Sequence, residues 1–184
     1  MENTATKQKM SSKSFQEFFF FEIRNIYYTE QKSLNIYFMM EAAATSEELK
    51  DIFRNNAFKT EEHIILLGRL FDIAHQEQRA EKCGAIVGMA NDLALTIKNT
   101  TKGSLTRDAS LIMEAQKIEH YKMSTYKSLV ELAIAAGMID ISNLLSKMLL
   151  EDAATIELFT DMAKLFVNME AVEENENNHD ARAD

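Results

Sequence analysis

Five ionisable side chains fall on helical faces that are otherwise apolar, and their types could bind metal or pair with one another. They are Glu30, His63, Glu119, Lys122 and Asp152. Each face is apolar towards its ends and polar near its middle, so together they predict a polar layer inside a helical bundle. Because an unpaired buried charge is costly, this layer needs either bound metal ions or mutual neutralisation. The alternative is that the assignment of inward helical positions is shifted by one residue, in which case these side chains face solvent.

Four long helices and one shorter helix are predicted to position these side chains. The chain has no proline and only five glycines, the residues that interrupt helices most often. The predicted helices cover about 14–43, 46–75, 81–99, 106–135 and 140–168. Thr45 or Ser46 is expected to cap the second helix, and Gly137 to end the fourth. The pattern predicts an all-α antiparallel four-helix bundle, with the 81–99 helix as an additional element.

A single folded domain is expected, because 184 residues suit one hydrophobic core. We assign the bundle to residues 14–169. Residues 1–13 are predicted to be a disordered N-terminus. Residues 170–184 are strongly acidic and lack apolar spacing, so they are predicted to be a disordered tail.

Composition and charge exclude several classes of partner. The formal net charge of −9 opposes binding to nucleic-acid phosphates. No apolar run approaches the roughly 18 residues of a membrane span, and the aromatic run at 18–21 lies between Glu17 and Glu22. Cys83 is the single cysteine and cannot form an internal disulfide, which suits a reducing compartment. We therefore expect a cytoplasmic protein without a nucleic-acid or membrane partner.

Three stretches of the chain carry a resemblance to a known family. They are 25–31 (NIYYTEQ), 44–50 (ATSEELK) and 108–121, which contains DASLI and AQKIEHY. In these stretches the chain resembles the YciE/YciF-type family of ferritin-like bacterial stress proteins, and the resemblance runs from about residue 18 to 166. It implies a ferritin-like bundle, usually a homodimer, with a two-metal iron or manganese site between the helices.

The resemblance also implies which residues would hold the metal. Glu30 and Glu119 match family positions, and Asp152 stands where relatives usually carry Glu. Two stretches depart from the family pattern. Relatives usually read HLEET where residues 56–60 read NAFKT, and EHYE where residues 119–122 read EHYK.

Lys59 and Lys122 therefore stand at two positions that are usually acidic. A protonated amine cannot ligate a metal. At about 5 Å and an effective dielectric near 20, each Lys⁺–M²⁺ pair costs about 6 to 7 kcal/mol. We hypothesise that the two ammonium groups replace the metal ions and pair with the carboxylates; the alternative is that both lysines extend outwards to solvent. His63 leaves a weak mononuclear site with Glu30 and Glu119 open, although a lone inward histidine is more often a hydrogen-bonded core group.

Two functions compete on this evidence. The sequence favours a stress-associated, metal-free structural or interaction module with no catalytic residues. The alternative is a di-iron or di-manganese protein that acts in oxidative stress as an oxidase, a peroxidase or a metal handler. The aromatic run at 18–21 covers more than one helical face, so at least one ring is expected to contact the 81–99 helix or a second subunit.

Overall fold

The computed structural model describes the backbone over residues 2–164 and the side chains over 13–164. Over 2–164 the chain forms helices and no strand. The helices are α1 (Glu2–Ala43), α2 (Glu47–Ile73), α3 (Gly84–Asn99), α4 (Leu105–Ala135) and α5 (Ile139–Met162). The predicted all-α fold of four long helices and one shorter helix is confirmed.

Local signals set several of the helix ends. The Ser46 side chain accepts a hydrogen bond from the Leu49 N–H and so caps α2, as the sequence predicts. Ser104 caps α4 in the same way, by accepting from the Arg107 N–H. After α4, Gly137 adopts a φ of 71°, a left-handed conformation that glycine takes without strain and that turns the chain towards α5.

The first helix begins earlier than expected. It starts at Glu2, whereas residues 1–13 were expected to be disordered. The stretch contains neither glycine nor proline, and its lysine, glutamine, methionine and alanine residues favour helix, so nothing in it stops α1. The third helix begins at Gly84 rather than near 81. The predicted acidic tail at 170–184 lies outside the described residues.

The four long helices form a ring in the order α1, α2, α5, α4, in which each helix is antiparallel to its neighbours. The shorter α3 packs against α1 and α4. Two apolar clusters fill the bundle, one around Tyr37, Phe53 and Phe159 and the other around Phe71 and Leu145. The middle turns of the long helices, which lie between the clusters, contribute the polar layer.

The aromatic run divides between core and surface. Phe19 and Phe20 are buried in the second cluster, whereas Phe18 and Phe21 remain 50% and 43% exposed. The contact with a second subunit stays a prediction. No helix in the described part of the chain has the length and apolar content that crossing a bilayer requires.

Candidate functional site

Lys122 lies at the centre of the polar layer, surrounded by carboxylates from three helices. Its Nζ donates to Glu119 Oε1 and to Asp152 Oδ1, each at 3.1 Å, and lies 3.3 Å from Glu30 Oε2. Glu119 and Lys122 share a face because they are three residues apart on α4. The Lys122 side chain is only 2% exposed. The sequence therefore placed this lysine correctly on an inward face.

His63 connects the buried layer to its more exposed edge. The ring Nδ1 lies 3.2 Å from Glu30 Oε1 and 3.7 Å from Asp152 Oδ1. The other nitrogen, Nε2, lies 2.8 Å from Glu151 Oε2. The His63 side chain is 1% exposed, whereas that of Glu151 is 30% exposed. Glu151 was not among the residues predicted from the sequence, because its position on α5 is adjacent to that of the inward Asp152.

Two buried tyrosines complete the hydrogen bonding of the carboxylates. The Tyr126 hydroxyl donates to Glu30 Oε1 at 2.6 Å, and the Tyr37 hydroxyl donates to Glu119 Oε1. Burial, followed by the negative charge of the carboxylate partner, raises the pKa of both tyrosines well above the usual range, so both stay protonated donors. Neither tyrosine was among the site residues predicted from the sequence. A signal was present, because each lies seven residues after a buried glutamate on its own helix.

The charges in the layer determine its protonation. Burial alone would lower the pKa of Lys122, but Asp152, Glu119 and Glu30 hold it well above its usual range, so the side chain remains an ammonium. Burial opposes ionisation of Glu30, but the charge of Lys122 and the hydrogen bond from His63 lower the pKa of this carboxyl to about 2. Burial, together with the charges of Glu119 and Glu30, outweighs Lys122 and raises the pKa of Asp152 well above its usual range. The cluster therefore has a negative potential that favours cations.

Lys59 does not join this cluster. It is only partly buried, and its Nζ donates to Thr155 Oγ1 at 3.4 Å. The Thr155 hydroxyl in turn lies 3.3 Å from Asn56 Oδ1, while Asn56 Nδ2 has no hydrogen-bond partner among the described residues. The hypothesis of two lysines pairing with the carboxylates therefore matches the geometry at Lys122 and not at Lys59. Lys59 lies instead beside Thr155 on α5, and its ammonium donates to that hydroxyl rather than to a carboxylate.

The residues present do not fit a two-metal centre. Glu30, His63 and Asp152 can each offer a ligand atom, and these atoms lie within 4.8 Å of one another. Glu119 does not belong to that group, and its Oε1 accepts hydrogen bonds from Tyr37 and Lys122. The space that a second ion would share among Glu30, Glu119 and Asp152 contains the Lys122 ammonium.

The signature stretches 44–50 and 108–121 meet away from the cluster, at the turn between α1 and α2. Asp108 is fully buried, and its carboxylate accepts hydrogen bonds from the Thr45 N–H at 2.6 Å and the Ser46 N–H at 2.9 Å. A carboxylate at the start of α2 also suits the partial positive charge of a helix N-terminus. This part of the signature therefore stabilises the turn rather than a reactive site.

Comparison with known proteins finds a family that matches most of the chain and a relative of similar length. Residues 14–172 match the family described as Domain of unknown function (DUF892). The chain is 28% identical over 163 residues to Protein YciF of Escherichia coli K12, covering 88% of this chain and 98% of that protein.

Two solved structures share the fold. The crystal structure of the E. coli stress protein YciF matches with a TM-score of 0.79 and 27% identity, over 84% of this chain and 97% of that one. YcfI of Rhodopseudomonas palustris, described provisionally as a structural protein, matches with a TM-score of 0.75 and 25% identity, over 79% of this chain and 92% of that one. The bundle is thus ferritin-like, as the resemblance implied.

Proposed function

The chain belongs to the DUF892 family, and we propose that it is a ferritin-like, stress-associated protein in which an internal ion-pair network replaces the two-metal centre. The stress association rests on the E. coli relative, which is described as a stress protein. The observation that carries the proposal is the position of Lys122 among three carboxylates. On this proposal the protein is a structural or interaction module that folds and works without metal.

The Lys122 ammonium opposes the binding of two metal ions for two reasons. It has no lone pair to offer a metal while it is protonated. It also lies 3.1 to 3.3 Å from the carboxylate oxygens that bridging ions would use. At a separation of about 5 Å and an effective dielectric near 20, each divalent ion would be repelled by about 7 kcal/mol. A di-iron or di-manganese oxidase or peroxidase remains the alternative, and it requires that Lys122 be displaced.

We propose that the interaction partner includes a second copy of the chain, through the exposed rings of Phe18 and Phe21. Phe18 and Phe21 are three residues apart on α1, so the two exposed rings lie on one helical face and form a joint apolar patch of the kind that a partner covers. Light scattering on the full chain should give a dimer, and Phe18→Ser combined with Phe21→Ser should give a monomer. Phe58→Ser is the matched control, because Phe58 is 54% exposed on α2. A wild-type monomer would contradict this part of the proposal.

The buried free thiol of Cys83 fits the proposed cytoplasmic location.

The metal content of the wild-type protein tests the main proposal. The protein would be expressed with added iron and manganese, desalted and subjected to elemental analysis. We expect fewer than two metal ions per chain, and circular dichroism should show full helical content after EDTA treatment. Two ions per chain, or loss of the fold in EDTA, would refute the proposal and support the oxidoreductase alternative.

A further inference from the structure

We propose that a cavity at the end of the bundle, where α2 and α4 finish, binds a small primary ammonium ion that carries an apolar chain. The cavity has a volume of about 330 Å³ and lies between α1, the end of α2 and the turn from α4 to α5. That volume falls in the range of small-molecule sites, which begins at about 300 Å³.

The cavity is separate from the polar layer. Phe20 and Ile73 line it, and each lies ten residues along its helix from Glu30 or His63. At about 1.5 Å per residue, the two places are about 15 Å apart along the bundle. The inference therefore goes beyond the proposed function, and neither depends on the other.

The floor of the cavity and two of its walls are apolar. Phe20 and Ile141 are buried members of the second apolar cluster and form the floor. Ile73 at the end of α2 and Ile139 at the start of α5 also line the cavity, and their side chains are 47% and 57% exposed. An apolar chain that covers these isoleucines removes apolar surface from water on both molecules, which favours binding.

Two helices end beside the cavity and leave carbonyl groups unpaired. The chain turns at His75 after α2 and at Gly137 after α4, with left-handed φ angles of 51° and 71°. The backbone carbonyls of Ile73, Ala74 and Gly137, which all line the cavity, accept no hydrogen bond from the described part of the chain. Each helix C-terminus also carries a partial negative charge. The cavity therefore offers hydrogen-bond acceptors to a cation.

Asp140 adds a full negative charge. Among the described residues that line the cavity, it alone is charged. It lies in the first turn of α5, where its charge exceeds the partial positive charge of that helix start. Lys13, which shares a helical face with Gln16 of the lining, pairs instead with Glu17 at 3.8 Å. The potential of the cavity is therefore negative.

These features together indicate the class of ligand. A primary ammonium group is charged at neutral pH and has three N–H donors, which suit the Asp140 carboxylate and the unpaired carbonyls. Its apolar chain would lie on the floor formed by Phe20 and Ile141. A carboxylate on the same chain would be repelled, and an alcohol would bring one donor and no charge.

Three probes with the same alkyl chain separate the contributions of charge and apolar contact. Hexylamine hydrochloride, hexan-1-ol and sodium hexanoate would each be titrated into the full chain at pH 7 and followed by calorimetry. We expect one hexylamine per chain and binding at least about 5-fold weaker for hexan-1-ol, because the alcohol loses the ion pair and two of the donors. Hexanoate should show no saturable binding.

Variants and labelled methyl groups locate the site. Asp140→Asn should weaken hexylamine binding by about 2- to 5-fold, the range of an exposed ion pair, and leave hexan-1-ol binding unchanged. Asp92→Asn, at an exposed position on α3, is the matched control and should bind as the wild type does. In spectra of isoleucine methyl groups, hexylamine should shift the resonances of Ile73 and Ile139. It should not shift that of Ile65, which is 58% exposed on α2.

The outcomes separate this inference from the proposed function. Absence of saturable hexylamine binding, equal affinity for hexylamine and hexanoate, or a shift at Ile65 as large as that at Ile73 overturns the ammonium site. Equal affinities of Asp140→Asn and Asp92→Asn for hexylamine overturn it as well. None of these results bears on the metal content of the protein, which tests the proposed function independently.

Discussion

The Lys122 ammonium lies 3.1 Å from the Asp152 carboxylate, across the interface between α4 and α5 in the buried middle of the bundle. Asp152 in turn lies close to His63, so its carboxylate faces cationic or potentially cationic groups from two helices. The Lys122–Asp152 ion pair therefore contributes both to the stability of the bundle and to the charge of the polar layer. We expect replacement of either residue to change both.

Lys122→Met should destabilise the protein by about 3 to 5 kcal/mol, because it leaves buried carboxylates without their cation. Urea unfolding followed by circular dichroism measures the change. Lys127→Met is the matched control on the same helix. The Lys127 side chain is exposed, so its replacement should change stability by less than about 0.5 kcal/mol. Equal effects of the two substitutions would show that Lys122 is not a structural cation.

Glu30 should make stability depend on acid pH. Its folded pKa of about 2 lies below its ordinary value of 4.5, so its contribution is fully present above pH 4.5 and is lost as the pH falls towards 2. The difference corresponds to roughly 3 kcal/mol. Asp152 acts in the opposite direction, because its raised pKa favours the folded state as protons bind.

The Glu30 contribution is therefore measured by comparing the pH dependence of stability in the wild type with that in a Glu30 variant. In urea unfolding at a series of pH values, Glu30→Gln should lose less stability than the wild type between pH 4.5 and 2. Glu61→Gln changes an exposed carboxyl on α2 and should follow the wild type. A Glu30→Gln profile parallel to that of the wild type would contradict the assignment.

Asp108→Ala should destabilise the turn between α1 and α2. The substitution removes two hydrogen bonds from the Thr45 and Ser46 N–H groups to a buried carboxylate. Hydrogen bonds to charged groups contribute about 1.5 to 3 kcal/mol each, so we expect a loss of at least about 2 kcal/mol in chemical unfolding. Asp92→Ala, at an exposed position on α3, should change stability by less than about 0.5 kcal/mol. A loss no larger than that of Asp92→Ala would contradict the role given to Asp108.

The fold followed from local signals that tertiary packing did not override. Absence of proline, the Ser46 cap and the glycine at 137 all act within a few residues, so the sequence predicted most helix ends closely. The start of α1 was not predicted, because the polar composition of residues 1–13 suggested disorder while their helix propensity favoured α1.

The polar layer was only partly predictable. Helical periodicity identified Glu30, Lys122 and Asp152 as inward residues, because one face of each helix must meet the core. Periodicity does not say which inward groups touch, so the contact of Lys59 with Thr155 could not be foreseen. The contact of Glu151 with His63 depends on how α2 and α5 pack together. The sequence of either helix alone does not determine that packing.

The central claim is that the Lys122 ammonium takes the place of a metal ion. The most direct test compares iron and manganese uptake by the wild type and by the Lys122→Glu variant, using elemental analysis after identical loading and desalting. The account predicts that the variant binds more metal per chain than the wild type. Equal metal content in the two proteins would contradict it.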